Sequence, residues 1–509
     1  TLVIVPAAGV THAASGIGEA FLDGIPMLVI AGGVRRDTGR AYQLHDMDQH
    51  ALLKPITKGT WRVERHADVV PTIYEAFRVA MSGEPGPVFV EIPVELQLIP
   101  GEAGELPRFD GPGRSARTPA AAELDRAAAL LRHAVRPGIF CGWGAVDTGE
   151  ALEHLAEALG APVATTLQGL SAFRSNHPLH AGFALGPSSV PASQNAFKSC
   201  DCLLAIGTRF AEIPTGSYGY EPPANLVHVD INPQVFGANY PAAVAIEGDA
   251  RAVVMALAER LTEVQGAAAR RQQVAAQIAA DKSAYLEEWL AHDPAGRVNP
   301  ARFFRALRAH LPDDGIVVAD DGNHTFLVAE LMPMHAPRCF FSPSDFNSMG
   351  YCVPGVIGAK LARPERTVVG IVGDGAVRMT GLEMATAVAQ GIGVAWFVFN
   401  DGELAQIAQA QQVPYNRKTC TVLPPLDLEG LARANHVAFE RMDNDAAVEH
   451  IIERALTTAG SGRPVLVDVR IDYSKRTRFT EGTIRTNLKR FDMGTKARLV
   501  GRALWRKVT

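Results

Sequence analysis

Long apolar runs are missing from this 509-residue chain. None reaches the roughly 18 residues that a membrane-crossing helix needs, and no signal peptide opens the sequence. The expected location is therefore the cytoplasm. Cysteine is scarce as well. The six residues Cys141, Cys200, Cys202, Cys339, Cys352 and Cys420 show no zinc spacing, and Cys200-Asp201-Cys202 is too tight for a knuckle of the C-x₂₋₄-C kind. Reduced, buried thiols are the expectation. There is no strong excess of one charge: 20% of residues are charged and the net charge is −5, which gives no basis for nucleic-acid binding by the whole chain.

What is present is a soluble globular composition, 47% apolar, over a length that implies about three domains. One asymmetry stands out. From Lys475 to Thr509 there are 11 Lys/Arg against 2 Asp/Glu, so the tail is strongly basic and the remainder acidic. It reads either as a solvated or subunit-packing tail or as an arm closing over an anionic ligand.

Buried strands alternate with helical patterns along the chain, which predicts α/β domains built on parallel sheets. The first region, 1–105, has strands at 1–5, 26–31 and 87–92, with helices at 9–22 and 71–82. A Pro/Gly-rich linker, 100–119, closes it. The second region, 120–265, has a helix at 120–133 and strands at 137–141, 163–166, 202–206 and 226–230. Its Gly142-x-Gly144 is only a weak nucleotide signal without a third glycine. A charged helical connector, 251–292, leads to the third region, 296–475, with strands at 316–320, 367–372, 393–399 and 464–469; 476–509 is the basic tail.

The chemistry concentrates in the third region. Gly373-Asp374-Gly375 ends one apolar strand, and Asn400-Asp401-Gly402-Glu403 ends the next, with a helical pattern at 381–388 between them. Gly-Asp-Gly alone is a common turn. With Asn-Asp at the end of the next strand of a βαβ unit, however, the two carboxylates stand where open α/β sheets bind ligands. A hard cation such as Mg²⁺ takes one or two carboxylates plus phosphate oxygens and water. Asp374, Asp401 and a backbone carbonyl near Glu403 fit that pattern, with glycines allowing close approach of phosphate.

These residues resemble the thiamine diphosphate and Mg²⁺ signature of the acetolactate synthase and pyruvate decarboxylase superfamily, most of all its acetolactate synthase-like branch. Further segments carry the resemblance: Met349-Gly350 through Pro354 to Ile357-Gly358-Ala359, Gly322-Asn323-His324, the glycine-rich stretch Gly9 to Asp23, residues 83–93, and Val229-Asp230-Ile231-Asn232-Pro233. It implies three doubly wound domains: pyrimidine-binding, middle Rossmann-like and diphosphate-binding. By the resemblance, the metal ligands are Asp374, Asp401 and Glu403 through its carbonyl. Gly322, Asn323, His324, Met349, Gly373, Asp374, Gly375, Ala376, Asp401, Glu403 and Leu404 would contact the cofactor.

The implied reaction is decarboxylation of a 2-oxo acid, pyruvate first, with capture of the remaining fragment by a second carbonyl. Related lyases or decarboxylases, acting on aromatic 2-oxo acids, acyloins or 2-hydroxyacyl-CoA esters, are the alternative. A non-catalytic regulatory or partner-binding subunit of the same fold is the alternative of another class. Met349 would prop the cofactor in its bent form, as a soft unbranched side chain can; otherwise it is a core methionine. Gln43 would hydrogen-bond a developing alkoxide without bringing charge, or else is a surface residue. Nearby His45 reads as a loop histidine or as a proton shuttle. The resemblance further implies at least a homodimer, or a homotetramer, and no membrane partner. Three departures accompany it. The activating glutamate of the family belongs to a segment ahead of Thr1, so truncation at the front is expected. Ala410 stands where anabolic acetohydroxyacid synthases place Trp, while Asp472-Tyr473-Ser474 looks like the flavin-independent catabolic synthases, leaving FAD without a strong signal. Ala7-Ala8-Gly9 replaces Gly-Pro-Gly.

Overall fold

The computed structural model describes residues 1–111, 117–262, 264–415 and 417–505, so part of the 100–119 linker and the last four tail residues lie outside the described residues. Three parallel sheets carry the fold. The first contains β1 (Leu2–Ile4), β2 (Met27–Gly33), β3 (Thr60–Arg62) and β4 (Pro87–Pro93), in the order β1-β2-β4-β3. Strand alternation splits its apolar side chains between two faces. Val29, Ala31 and Phe89 pack with Val10 and Ile17 of the helix Ala8–Leu22. Leu28, Val88 and Val90 pack with Ala76 and Ala80 of the helix Val69–Met81 on the other face. Helices on both faces make the sheet doubly wound.

The second sheet contains β5 (Pro137–Cys141), β6 (Val163–Thr165), β7 (His180–Phe183), β8 (Cys202–Ile206), β9 (Asn225–Asp230) and β10 (Val244–Glu247), in the order β10-β9-β8-β5-β6-β7. That order is the dinucleotide-binding one, with its reversal between β5 and β8. Gly142 and Gly144 follow β5, but they serve close packing there. A Cβ on Gly142 would lie 2.1 Å from the Gly207 carbonyl oxygen, and the Gly144 N–H donates to that same carbonyl at 3.2 Å.

The third sheet contains β11 (Ile316–Ala319), β12 (Phe340–Phe341), β13 (Val368–Gly373), β14 (Ala395–Phe399), β15 (Ala438–Met442) and β16 (Val465–Val469), in the order β12-β11-β13-β14-β16-β15. Its central strands are buried along their length, except for Gly373 at the end of β13, as near-continuous Val/Ile/Phe runs require.

The fold forms two compact units. Thr1–Arg117 with Pro343–Ser348 makes one, and Thr118–Ser342 with Met349–Thr509 makes the other. The larger unit joins the second and third sheets through one apolar cluster. Leu167, Phe183 and Val190 meet Trp289, Phe303, Phe304, Phe397 and Phe399 there. The basic tail also belongs to that unit and is not simply a solvated extension. It forms the helices Arg478–Arg490 and Met493–Trp505. Phe479 stacks on Phe326 with ring centroids 3.9 Å apart, while Lys475 and Arg478 pair with Glu288 at 3.0 and 2.8 Å. Among the described residues no helix is long and apolar enough to cross a membrane. All six thiols are free, but Cys420 is exposed, which corrects the expectation of uniformly buried cysteines.

Candidate active site

In the third sheet the strand order reverses direction between β11 and β13, which makes the gap beyond their carboxyl ends the natural ligand crevice. The predicted residues converge on it. Gly322-Asn323-His324 follows β11 and opens the helix Asn323–Leu331, whose free N–H groups favour an anion. Gly373 is the last residue of β13, and Asp374 opens the helix Asp374–Thr380. Asn400 and Asp401 follow β14, which runs beside β13 with Gly373 opposite Phe399. That register places the two aspartates at neighbouring strand ends.

Burial raises Asp374 to about 6, tempered by the Arg378 charge and by the N–H groups of Gly375 and Gly402. Burial raises Asp401 further, to about 7, and the Asp374 charge adds to it, while the Glu403 N–H works the other way. Buried Asp374 and half-buried Asp401 repel one another, and the charges of Arg378 and Arg297 offset burial only in part. Among the described residues no cluster of three His, Cys, Asp or Glu side chains forms an all-protein metal cage. The Glu403 carboxylate is bound by Lys418, with both oxygens at 2.6 Å, so the side chain is already engaged.

His324 is 3% exposed, and its Nε2 has no protein partner. Burial lowers its pKa to about 4, opposed by a hydrogen bond to the Asp320 carbonyl, so the ring is neutral in the ligand-free chain. A Cβ on Gly373 would fall 3.1 Å from His324 Cε1, so the imidazole lies against the Gly-Asp-Gly turn. An orphaned ring nitrogen beside a helix N-terminus fits a diphosphate, whose charge would favour the protonated ring.

An apolar wall stands beside these polar groups. A Cβ on Gly375 would be 2.7 Å from Leu404 Cδ2, 3.5 Å from Met349 Cε and 3.6 Å from Leu423 Cδ1. Met349 is half-buried and packs at the edge of the third sheet's core, while Ala376 is wholly buried. Leu423 was not foreseen, because it reaches the site through the hydrogen bond of its N–H to the Gly402 carbonyl at 2.9 Å.

Asp320 was also missed as a site residue. Its Oδ1 accepts from the N–H groups of Gly350 and Asp321, both at 2.9 Å, and its Oδ2 accepts from Cys352 at 2.8 Å. Burial nevertheless raises its pKa to about 6. The carboxylate thus fixes the backbone immediately after Met349 and starts the helix Cys352–Ala362. A buried strand-end Asp was the available signal. Tyr473 is the third addition. Its ring lies 6.5 Å from Phe399, and burial raises its phenol pKa, with the Asp401 and Asp374 charges adding to that effect.

Gln43 belongs to the smaller unit, where its Nε2 donates to the Arg35 carbonyl at 2.8 Å. Tyr42 and His45 on either side adopt positive φ, and Tyr42 is fully exposed. The structure therefore gathers the metal and diphosphate candidates in one crevice of the larger unit and holds Gln43 in a surface loop of the smaller.

Residues 124–257 match the thiamine pyrophosphate enzyme central domain, and residues 320–469 match the C-terminal TPP-binding domain. The fold and crevice thus define a thiamine diphosphate enzyme. The chain is 31% identical over 413 residues to the acetolactate synthase large subunit of Corynebacterium glutamicum, covering 80% of this chain and 65% of that protein. It is 30% identical over 489 residues to a probable acetolactate synthase large subunit of Methanocaldococcus jannaschii, covering 91% of this chain and 80% of the relative. The large subunit of acetolactate synthase isozyme 2 from Escherichia coli is 30% identical over 472 residues, covering 91% and 82%. The chain belongs to the acetolactate synthase-like branch of the thiamine diphosphate enzymes, which form carbon–carbon bonds with thiamine diphosphate and Mg²⁺ as cofactors.

Proposed function

We propose that this enzyme decarboxylates a 2-oxo acid, pyruvate first, and joins the remaining acyl fragment to a second carbonyl. The observation supporting this most is the pair of carboxylates, buried Asp374 and half-buried Asp401, at adjacent strand ends of the crevice. They and the Glu403 carbonyl would hold Mg²⁺. Asn323 and His324 would bind the diphosphate at the helix N-terminus. Bound thiamine diphosphate supplies a carbon nucleophile and an electron sink for decarboxylation.

Met349 and Leu404 would give the cofactor apolar support and exclude water, which strengthens the electrostatics inside the site. Gln43 would donate a hydrogen bond to the alkoxide that develops on the 2-oxo carbon, exchanging its present bond to Arg35. The reading includes a cytoplasmic enzyme of at least two copies, with functional domains near 1–105, 120–265 and 296–475.

Turnover of pyruvate by the full-length protein with thiamine diphosphate and Mg²⁺, assaying carbon dioxide and acetolactate together, tests it. Release of two pyruvates' worth of carbon as one carbon dioxide and one acetolactate is expected. Carbon dioxide without acetolactate would make the enzyme a decarboxylase. Absence of turnover with the cofactor bound would remove pyruvate as donor.

A further inference from the structure

The loop that follows β1 holds a strained backbone at the sheet's carboxyl end. Ala7 has φ 53° and ψ −85°, the mirror of the common γ-turn, which glycine adopts freely and an L-residue adopts only at a cost. Such conformations persist where surrounding structure over-determines them, and they collect at functional sites. Here the constraint has an identifiable source. The Ala7 N–H donates to Gln49 Oε1 at 2.9 Å. The same carboxamide donates through Nε2 to the Gly32 carbonyl at 3.0 Å and to Glu91 Oε2 at 2.9 Å. Gln49 thereby ties together the carboxyl ends of β1, β2 and β4.

This carboxamide is a built feature rather than a surface contact. Gln49 is 2% exposed and Glu91 5% exposed. Glu91 is held in turn by Arg62 Nε at 2.9 Å and faces His50 Nε2 at 3.3 Å. The glycine at 33 leaves room for it, since a Cβ there would lie 2.6 Å from Glu91 Oε1. The two acceptors facing Nε2 and the donor facing Oε1 fix the amide in one orientation, so no isosteric acid or hydrocarbon reproduces all three bonds.

We propose that Gln49 is a positioning residue of this enzyme: its buried carboxamide clamps residues 6–8 in the strained turn at the carboxyl end of the pyrimidine-binding sheet. Ligands of parallel sheets sit at that end, and a displacement of about 1 Å in a positioning element can cost about 100-fold in rate. The proposal rests on the 2-oxo acid reading only for its kinetic consequence.

Hydrogen exchange read by mass spectrometry on the full chain tests the clamp directly. Gln49→Leu is expected to speed exchange at the Ala7 amide about tenfold or more, while peptides from β16 keep their protection. Unchanged protection at Ala7 overturns the proposal, whether or not the protein turns over a 2-oxo acid. With turnover, Gln49→Leu is expected to lower kcat about tenfold or more with KM within about twofold. Adding Ala7→Gly should restore most of that loss, because glycine keeps the turn without the Cβ penalty. A loss that Ala7→Gly leaves untouched assigns Gln49 to folding alone and overturns the proposal. Should Gln49→Leu fail to accumulate folded, the Ala7→Gly/Gln49→Leu pair is expected to recover; a pair that also stays unfolded has the same adverse meaning. A wild-type chain inactive on 2-oxo acids removes the substrate reading and leaves exchange to decide the clamp.

Discussion

Asp374 and Asp401 stand at the carboxyl ends of two adjacent parallel strands, and the charge of the first makes ionisation of the second harder. Their removal is the most direct test of the site. Asp374→Ala and Asp401→Ala, which leave no side-chain oxygen, are each expected to weaken Mg²⁺-dependent binding of thiamine diphosphate by about 100-fold or more. Titrating the cofactor with and without Mg²⁺ would check this, and an unchanged Mg²⁺ requirement in either variant would exclude that residue as a ligand.

The same pair sets a pH dependence with a defined sign. Both carboxyls have folded-state values, about 6 and about 7, above the ordinary 3.8. Between roughly pH 4 and pH 7 the metal-free folded chain therefore holds more protons than the unfolded chain, so its stability falls as pH rises. Melting temperature without metal should decline across that window, and Mg²⁺ with thiamine diphosphate should stabilise most above pH 7. Asp401→Asn should flatten the metal-free decline; an equally steep curve in that variant would assign it to other groups.

Met349 tests the shape of the site rather than its charge. Met349→Ala is expected to lower kcat about 10- to 100-fold through misplaced cofactor, whereas Met349→Leu, nearly equal in volume, should stay within about fivefold. Equal rates for all three proteins would make Met349 ordinary packing.

Asp320 acts through the backbone it holds. Asp320→Ala leaves the Gly350 and Cys352 N–H groups without their buried acceptor, at a cost of about 1–3 kcal/mol each. Urea unfolding should show the loss as a lower midpoint with an unchanged slope. A midpoint equal to wild type would mean that water replaces the carboxylate.

The tail yields a stability prediction. Phe479 lies stacked on Phe326, and both are nearly buried. Phe479→Ala is expected to destabilise the larger unit by about 3 kcal/mol, measurable in the same urea experiment. A change under about 0.5 kcal/mol, the scale of an ordinary surface substitution, would show that the tail is dispensable to the fold.

The parts legible in the chain and the parts that were not separate along physical lines. β1, β2, β4, β5, β6, β8, β9, β11, β13, β14 and β16 read directly as apolar runs. The strands passed over, β3, β7, β10, β12 and β15, are all sheet edges. An edge strand has a neighbour on one side only and is here 2 to 5 residues long, so no continuous apolar run marks it. Likewise Asp374 and Asp401 were legible because glycines and strand ends bracket them in the sequence. Asp320 and Leu423 were not, because their roles depend on bonds to residues 30 and 21 positions away.

Local pattern was thus sufficient for the βα units, the α/β class and the cofactor motif, since each is written in spacing over a few turns or strands. Tertiary pairing decided the rest. It set the strand order that makes β11 and β13 a crevice, and the register that brings two carboxylates into mutual repulsion. It also folded the basic tail back onto Phe326, and it buried Gln49 where its carboxamide ties a strained alanine to two neighbouring strands. Those outcomes depend on contacts between segments far apart in the chain, whose partners no local spacing specifies.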